Sequence, residues 1–71
     1  MQGKYTLKAA RAMRNMSQAD LAAEIDVERT FYGCMEKRPW IVSNDVAKQI
    51  CKVLDFKHSD IIWNKAYYTT D

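Results

Sequence analysis

Chemistry in a protein needs side chains that hold a metal, attack a substrate or move a proton, and this sequence offers few of them. Its two cysteines, Cys34 and Cys51, form no CxxC pair, and its one histidine, His58, has no second metal-ligand type at zinc spacing. The cysteines read as reduced thiols of a cytosolic protein, with no metal and no cofactor expected. No carboxylate pair, no nucleophile beside a base and no glycine-rich loop able to cradle a phosphate is present. Enzymatic activity is therefore not expected, and His58, beside a helix start, reads as a surface residue.

The means for recognition are better supplied. The net charge is only +2, but it is segregated. Lys4, Lys8, Arg11 and Arg14 precede the first acid, Asp20. Lys37, Arg38, Lys48 and Lys52 form a second basic group interrupted only by Asp45, and Asp20, Glu24, Asp26 and Glu28 lie between the two. Segregated basic groups suit a polyanionic partner, although exposed charges also serve simply as a solvated face.

The elements that must position these residues are helical. A chain of 71 residues is one small domain, near the size at which a single core can still support a fold. Leu7 and Ala10 recur at helical spacing, so a first helix is expected over 6–14, with Asn15 suited to the left-handed position that ends it. Ser17 caps a second helix and Asp20, three residues on, completes a capping-box-like start. Asp26 tolerates a positive φ and can end that helix, leaving Val27 to plug the turn. The third helix is expected over 28–37, with Glu28 near its N-cap, Tyr32 and Met35 inward and Arg29, Thr30, Gly33 and Cys34 outward. Pro39 stops it by Arg38. Ser43 caps a fourth helix over 44–54, and a short fifth begins near Ser59, carrying Ile61, Ile62 and Trp63. The expected core is Leu21, Ile25, Val27, Tyr32, Met35, Val46, Ile50 and Leu54. The amino-terminal segment lacks the apolar run of a signal peptide, and no stretch approaches the ~18–20 apolar residues that span a bilayer, so a soluble cytoplasmic protein with no membrane partner is expected.

Several of these residues stand in one register. Ala10-Arg11, Ser17-Gln18-x-x-Leu21-Ala22, Asp26-Val27-Glu28 and Tyr32-x-x-Met35-Glu36 follow one another without a gap. In this the chain resembles the helix-turn-helix domain of the phage repressor and Cro family, also called the xenobiotic response element type, from Leu7 to about Ile62. It departs from that pattern at Asp26 in place of the turn glycine and at Glu28 in place of the serine or threonine cap. Phe31 is large for the DNA-facing edge, Arg38 stands where the following loop usually has glycine, and Val42 where proline is common.

The resemblance implies an all-α, compact five-helix repressor-like DNA-binding domain with the helix-turn-helix at helices two and three. It would occupy 1–71 as a single domain, with an amino-terminal arm over 1–5, a helical core over 6–64 and a tail over 65–71. In that arrangement helix three lies in the major groove with its leading residues on base edges. Arg is the side chain best shaped for guanine O6 and N7. Arg29, Thr30 and Cys34 are then the candidate base readers, with Gly33 allowing close approach. Gln18, Lys37, Arg38 and Arg11 are the candidate phosphate contacts. Arg11 is also expected to pair with Glu36, since a charge in an apolar stripe needs a partner. The implied partners are double-stranded operator DNA and a second copy of the chain. The homodimer would meet either at Trp63, Tyr67 and Tyr68 or at Trp40 and Ile41. The alternative, which Glu28 and the low net charge favour, is an antitoxin or anti-repressor whose partner is a protein, a toxin or another repressor.

Overall fold

The computed structural model describes residues 3–68. Five helices follow one another: α1 (Leu7–Met13), α2 (Gln18–Glu24), α3 (Arg29–Lys37), α4 (Asn44–Leu54) and α5 (Lys65–Tyr68), with single 3-10 turns at Pro39–Ile41 and His58–Asp60. Among the described residues there is no strand, and the only extended pairing is a bridge between Tyr5 and Ile61.

Three helices share one way of starting. The Thr6 hydroxyl accepts from the Ala9 amide at 3.1 Å, the Ser17 hydroxyl from the Asp20 amide at 2.9 Å, and the Ser43 hydroxyl from the Val46 amide at 3.3 Å. At α2 the box is closed by Asp20, which accepts from the Ser17 amide at 3.0 Å; that bond holds its carboxyl below the usual carboxylate range. Each such cap satisfies a donor the helix cannot satisfy itself.

The same three helices share one way of ending. Asn15, Asp26 and Asp55 adopt φ of 57°, 59° and 57°, a left-handed conformation that short polar side chains tolerate. The next amide then reaches back five residues: Met16 to the Arg11 carbonyl at 3.4 Å, Val27 to Ala22 at 3.0 Å and Phe56 to Cys51 at 3.0 Å. This reversal folds Met16, Val27 and Phe56 against the core. The α4 end has a further cap, because Arg14 donates from Nε to the Leu54 carbonyl at 2.6 Å and lays its guanidinium over the Phe56 ring, 4.2 Å from its centre. Arg14 is thereby tied into the fold. Helix α3 differs at both ends: Glu28 makes no side-chain cap bond, and α3 stops where Pro39 enters its turn.

Leu21, Ile25, Tyr32, Met35, Ile50 and Leu54 are buried together as expected, joined by Leu7, Ala10 and Ile61. Val27 and Val46 are only half-buried, at the edge of this cluster. Val27 seals the turn between α2 and α3 from outside, and Val46 lies in the first turn of α4.

The fifth helix is not where the pattern places it. After the turn at His58–Asp60 the chain is extended at Ile61, and the helix begins only at Lys65, inside the expected tail. Two adjacent buried residues, Ile61 and Ile62, suit an extended segment covered on both sides as well as a helix. The extended form is chosen by pairing with the amino-terminal residues. The Lys4 and Tyr5 amides donate to the Asp60 carbonyl at 2.9 and 3.0 Å, and the Ile62 amide to the Tyr5 carbonyl at 2.8 Å. Residues 3–5 of the expected arm are therefore docked on residues 60–62. Glycine is required at position 3, where a Cβ would stand 2.4 Å from the Ile61 carbonyl. Residues 1–2 and 69–71, at the ends of the expected arm and tail, lie outside the described residues.

Candidate nucleic-acid interface

The helix-turn-helix pair is locked by one carboxylate. Glu36, in the last turn of α3, is approached by Arg11 from α1 and by Gln18 from the start of α2. The Arg11 guanidinium meets it through Nε and through Nη2, the latter at 3.3 Å from Oε1. The Gln18 amide donates to Oε1 at 3.0 Å and the Tyr32 hydroxyl to Oε2 at 2.7 Å. Because a carboxylate only accepts, the Gln18 nitrogen must face it. The third Arg11 nitrogen, Nη1, donates to the Met16 carbonyl at 2.7 Å, fixing the turn between α1 and α2 to the same group.

The Arg11 and Glu36 side chains are 12% and 5% exposed, so each charge depends on its partners for the hydration it has lost. Burial pushes the Glu36 carboxyl up, but the hydrogen bonds from Arg11, Tyr32 and Gln18 outweigh it and hold the group below its usual range. The hydrogen bond to Glu36 raises Arg11 further. Burial, then the donation to Glu36, raises the Tyr32 hydroxyl. All three sites stay in the state that bonds best near neutral pH. Among the described residues no buried side-chain nitrogen or oxygen lacks a partner.

In front of this brace is a shallow cleft of about 390 Å³, lined by Lys8, Gln18, Arg29, Thr30, Gly33, Cys34, Glu36 and Lys37. The structure thus brings the four outward residues of α3, Arg29, Thr30, Gly33 and Cys34, to one wall, with Gln18 and Lys37 beside them. Arg29, Thr30 and Lys37 are exposed, while Gly33 and Cys34 are half-buried. Arg38 lies outside the cleft, exposed at the end of α3. Arg11 is absent from the lining and lies behind it, with all three of its nitrogens donating inside the protein, where it braces α3. The sequence reading missed Lys8, the cation from α1 that completes the rim. Its signal was its place three residues before Arg11, which puts both on one face of α1.

Gly33 is on the wall for reasons other than internal crowding. A Cβ there would meet only the side-chain Oε1 of Gln18, at 3.8 Å, an ordinary contact. The missing side chain leaves room in the cleft itself.

A family model described as helix-turn-helix matches residues 7–61, which include this pair of helices. The chain belongs to the Cro/repressor-type helix-turn-helix family. It is a DNA-binding helix-turn-helix regulator of all-α fold, in a family without enzymatic activity. No curated protein and no solved structure matches the chain significantly. Among the described residues no helix is long and apolar enough to cross a membrane, and no group of His, Cys, Asp and Glu could hold a metal ion.

Proposed function

We propose that this regulator is a sequence-specific reader of double-stranded operator DNA that sets the start of α3 into the major groove. The observation that carries the reading is the contrast along α3: Arg29 and Thr30 are exposed at its beginning, whereas Glu36 near its end is held by Arg11, Gln18 and Tyr32. A helix whose backbone is fixed at the back holds its leading residues in a set place while their side chains stay free to meet base edges. Arg29 takes a guanine edge, Thr30 and Cys34 lie over neighbouring bases, and the missing side chain of Gly33 lets the backbone approach. Lys8, Lys37 and Arg38 neutralise phosphates on the two sides, and Gln18 contributes through the part of its amide that Glu36 does not occupy.

The chain acts as a single domain in the cytoplasm, on DNA, as a homodimer. Two surfaces that the sequence leaves as alternative seams adjoin each other, since the Trp40 and Tyr68 rings are 6.0 Å apart. Trp63 is anchored next to them by its indole N–H on the His58 carbonyl at 3.0 Å. Ile41 and Tyr67 remain 45% and 51% exposed beside them. A dimer closed here would set two α3 helices on half-sites about one DNA turn apart.

Binding of the full chain to a labelled random duplex at two salt concentrations tests the reading. Phosphate neutralisation makes the logarithm of affinity fall steeply with the logarithm of salt, by about 0.9 per phosphate contacted. A steep slope, with a subset of sequences surviving the higher salt, is expected. No binding at low salt would instead favour a protein partner, as for an antitoxin or anti-repressor.

A further inference from the structure

Phe31 is 49% exposed on a helix that buries its other large apolar residues, Tyr32 and Met35, almost completely. It belongs to neither the core cluster nor the half-buried set packed on it. Among the described residues its ring meets no other ring and no cation. Leaving so much apolar surface in water is unfavourable, and here it sits in the first turn of the helix proposed to enter the groove.

The position on the helix is specific. Successive residues turn by about 100°, so Arg29 and Phe31 flank Thr30 on opposite sides, and Phe31 lies only about 60° around from Cys34. Thr30, Cys34 and Arg29 all face the cleft, and Phe31, outside its lining, stands on the flank of α3 away from Arg29. A helix with its side chains is about 10–12 Å across, and the major groove about 12 Å wide, so both flanks of an inserted helix approach base edges. The groove displays one apolar group, the thymine 5-methyl; every other feature of the base edges there is a hydrogen-bond donor or acceptor.

We infer that Phe31 is a specificity-determining residue that reads a thymine by packing its ring on the 5-methyl group. The inference rests on the proposed docking of α3 and adds to it a reader of a different kind: Arg29 selects by hydrogen bonds, Phe31 by burial of a methyl. Phe31 follows Arg29 by two residues, about 3 Å of helix axis, so the thymine lies in the same half-site, within about two base pairs of the guanine.

The test uses the full chain and the operator it selects from a randomised duplex pool. Each thymine of that operator is replaced singly by deoxyuridine, which removes the methyl and leaves every hydrogen-bonding group. The parent should lose about three- to fivefold in affinity at one thymine of each half-site, the factor that burial of one methyl-sized group supplies. Phe31→Ala should bind thymine and deoxyuridine there equally, while Phe31→Leu should keep part of the preference. With cytosine at the same position, 5-methylation should strengthen binding by the parent and not by Phe31→Ala. An operator bound equally with and without every thymine methyl would overturn the inference, as would a methyl preference that survives in Phe31→Ala. Failure of the parent to enrich any sequence would instead overturn the docking on which the inference rests, so the two failures are distinct.

Discussion

Helices α1, α2 and α4 are closed at both ends, and α3 is open at its beginning. A hydroxyl from Thr6, Ser17 or Ser43 satisfies the first turn of each of the three, and Asn15, Asp26 or Asp55 in the left-handed conformation closes the last. Glu28 does neither for α3, and Arg29, Thr30 and Phe31 after it stand exposed. The same helix is the most heavily braced at its other end, where Glu36 gathers donors from three helices. Stability has thus been placed behind the helix and withheld from its leading turn. That distribution is what a surface waiting for a partner requires, since bonds made internally there would have to be broken on binding.

The largest loss is expected behind α3, in the core that supports it. Leu21, the fully buried core residue of α2, should cost about 2–5 kcal/mol on replacement by alanine, a large part of what a domain of this size possesses. Thermal unfolding of Leu21→Ala that matched the parent would show that the core does not support α3 as described. The brace comes next. A double-mutant cycle on Arg11 and Glu36 should give a coupling of about 0.5–3 kcal/mol, and additive losses would show that the bonds seen between them do not act together.

The brace also fixes how stability responds to acid. Glu36 is held below its usual range in the folded chain, although burial alone would raise it, because its three donors prevail. A carboxyl whose folded pKa lies below its unfolded value adds stability that is fully present above the unfolded value and is lost as pH falls through the folded one. Resistance to urea should therefore fall on acidification below the ordinary carboxylate range. In Glu36→Gln the parent's advantage at neutral pH should be gone and the acid decline shallower. An unchanged acid limb in that variant would remove Glu36 from the account.

What was legible in the sequence and what was not divide along the same line. The capping box of Ser17 and Asp20 and the helix-ending roles of Asn15 and Asp26 are decided within a few residues, and the spacing of side chains reveals them. The place of the fifth helix is decided by Tyr5 and Gly3 near the other end of the chain, so the local pattern of Ile61 and Ile62 suggests a helix that does not form there. Of the site, the outward set on α3 follows from its period alone. The bond of Gln18 to Glu36 and the membership of Lys8 depend on how α1 and α2 cross α3. No local pattern carries that angle.

The smallest effects concern the open end itself. Glu28→Ser supplies the cap that α3 lacks and should raise stability by about 0.5–1 kcal/mol, read as a higher urea midpoint at unchanged slope. Gly33→Ala should raise it by a similar amount, about 0.5–1 kcal/mol, because the added Cβ meets no close neighbour. The same methyl narrows the cleft, so Gly33→Ala should bind DNA less well while unfolding later. A Gly33→Ala protein that lost stability would show that the wall is more crowded than its geometry states.

If the leading turn of α3 reads bases while its flanks hold phosphates, the full sequence-preference profiles of the parent, Arg29→Ala and Arg38→Ala on a randomised duplex pool should differ in kind. Arg29→Ala should lose about 1–3 kcal/mol on the preferred operator and relax preference at one base pair of each half-site. Arg38→Ala should weaken all sequences alike and reduce the salt slope by about one unit. An Arg29→Ala protein that still binds with every base preference unchanged would contradict the account.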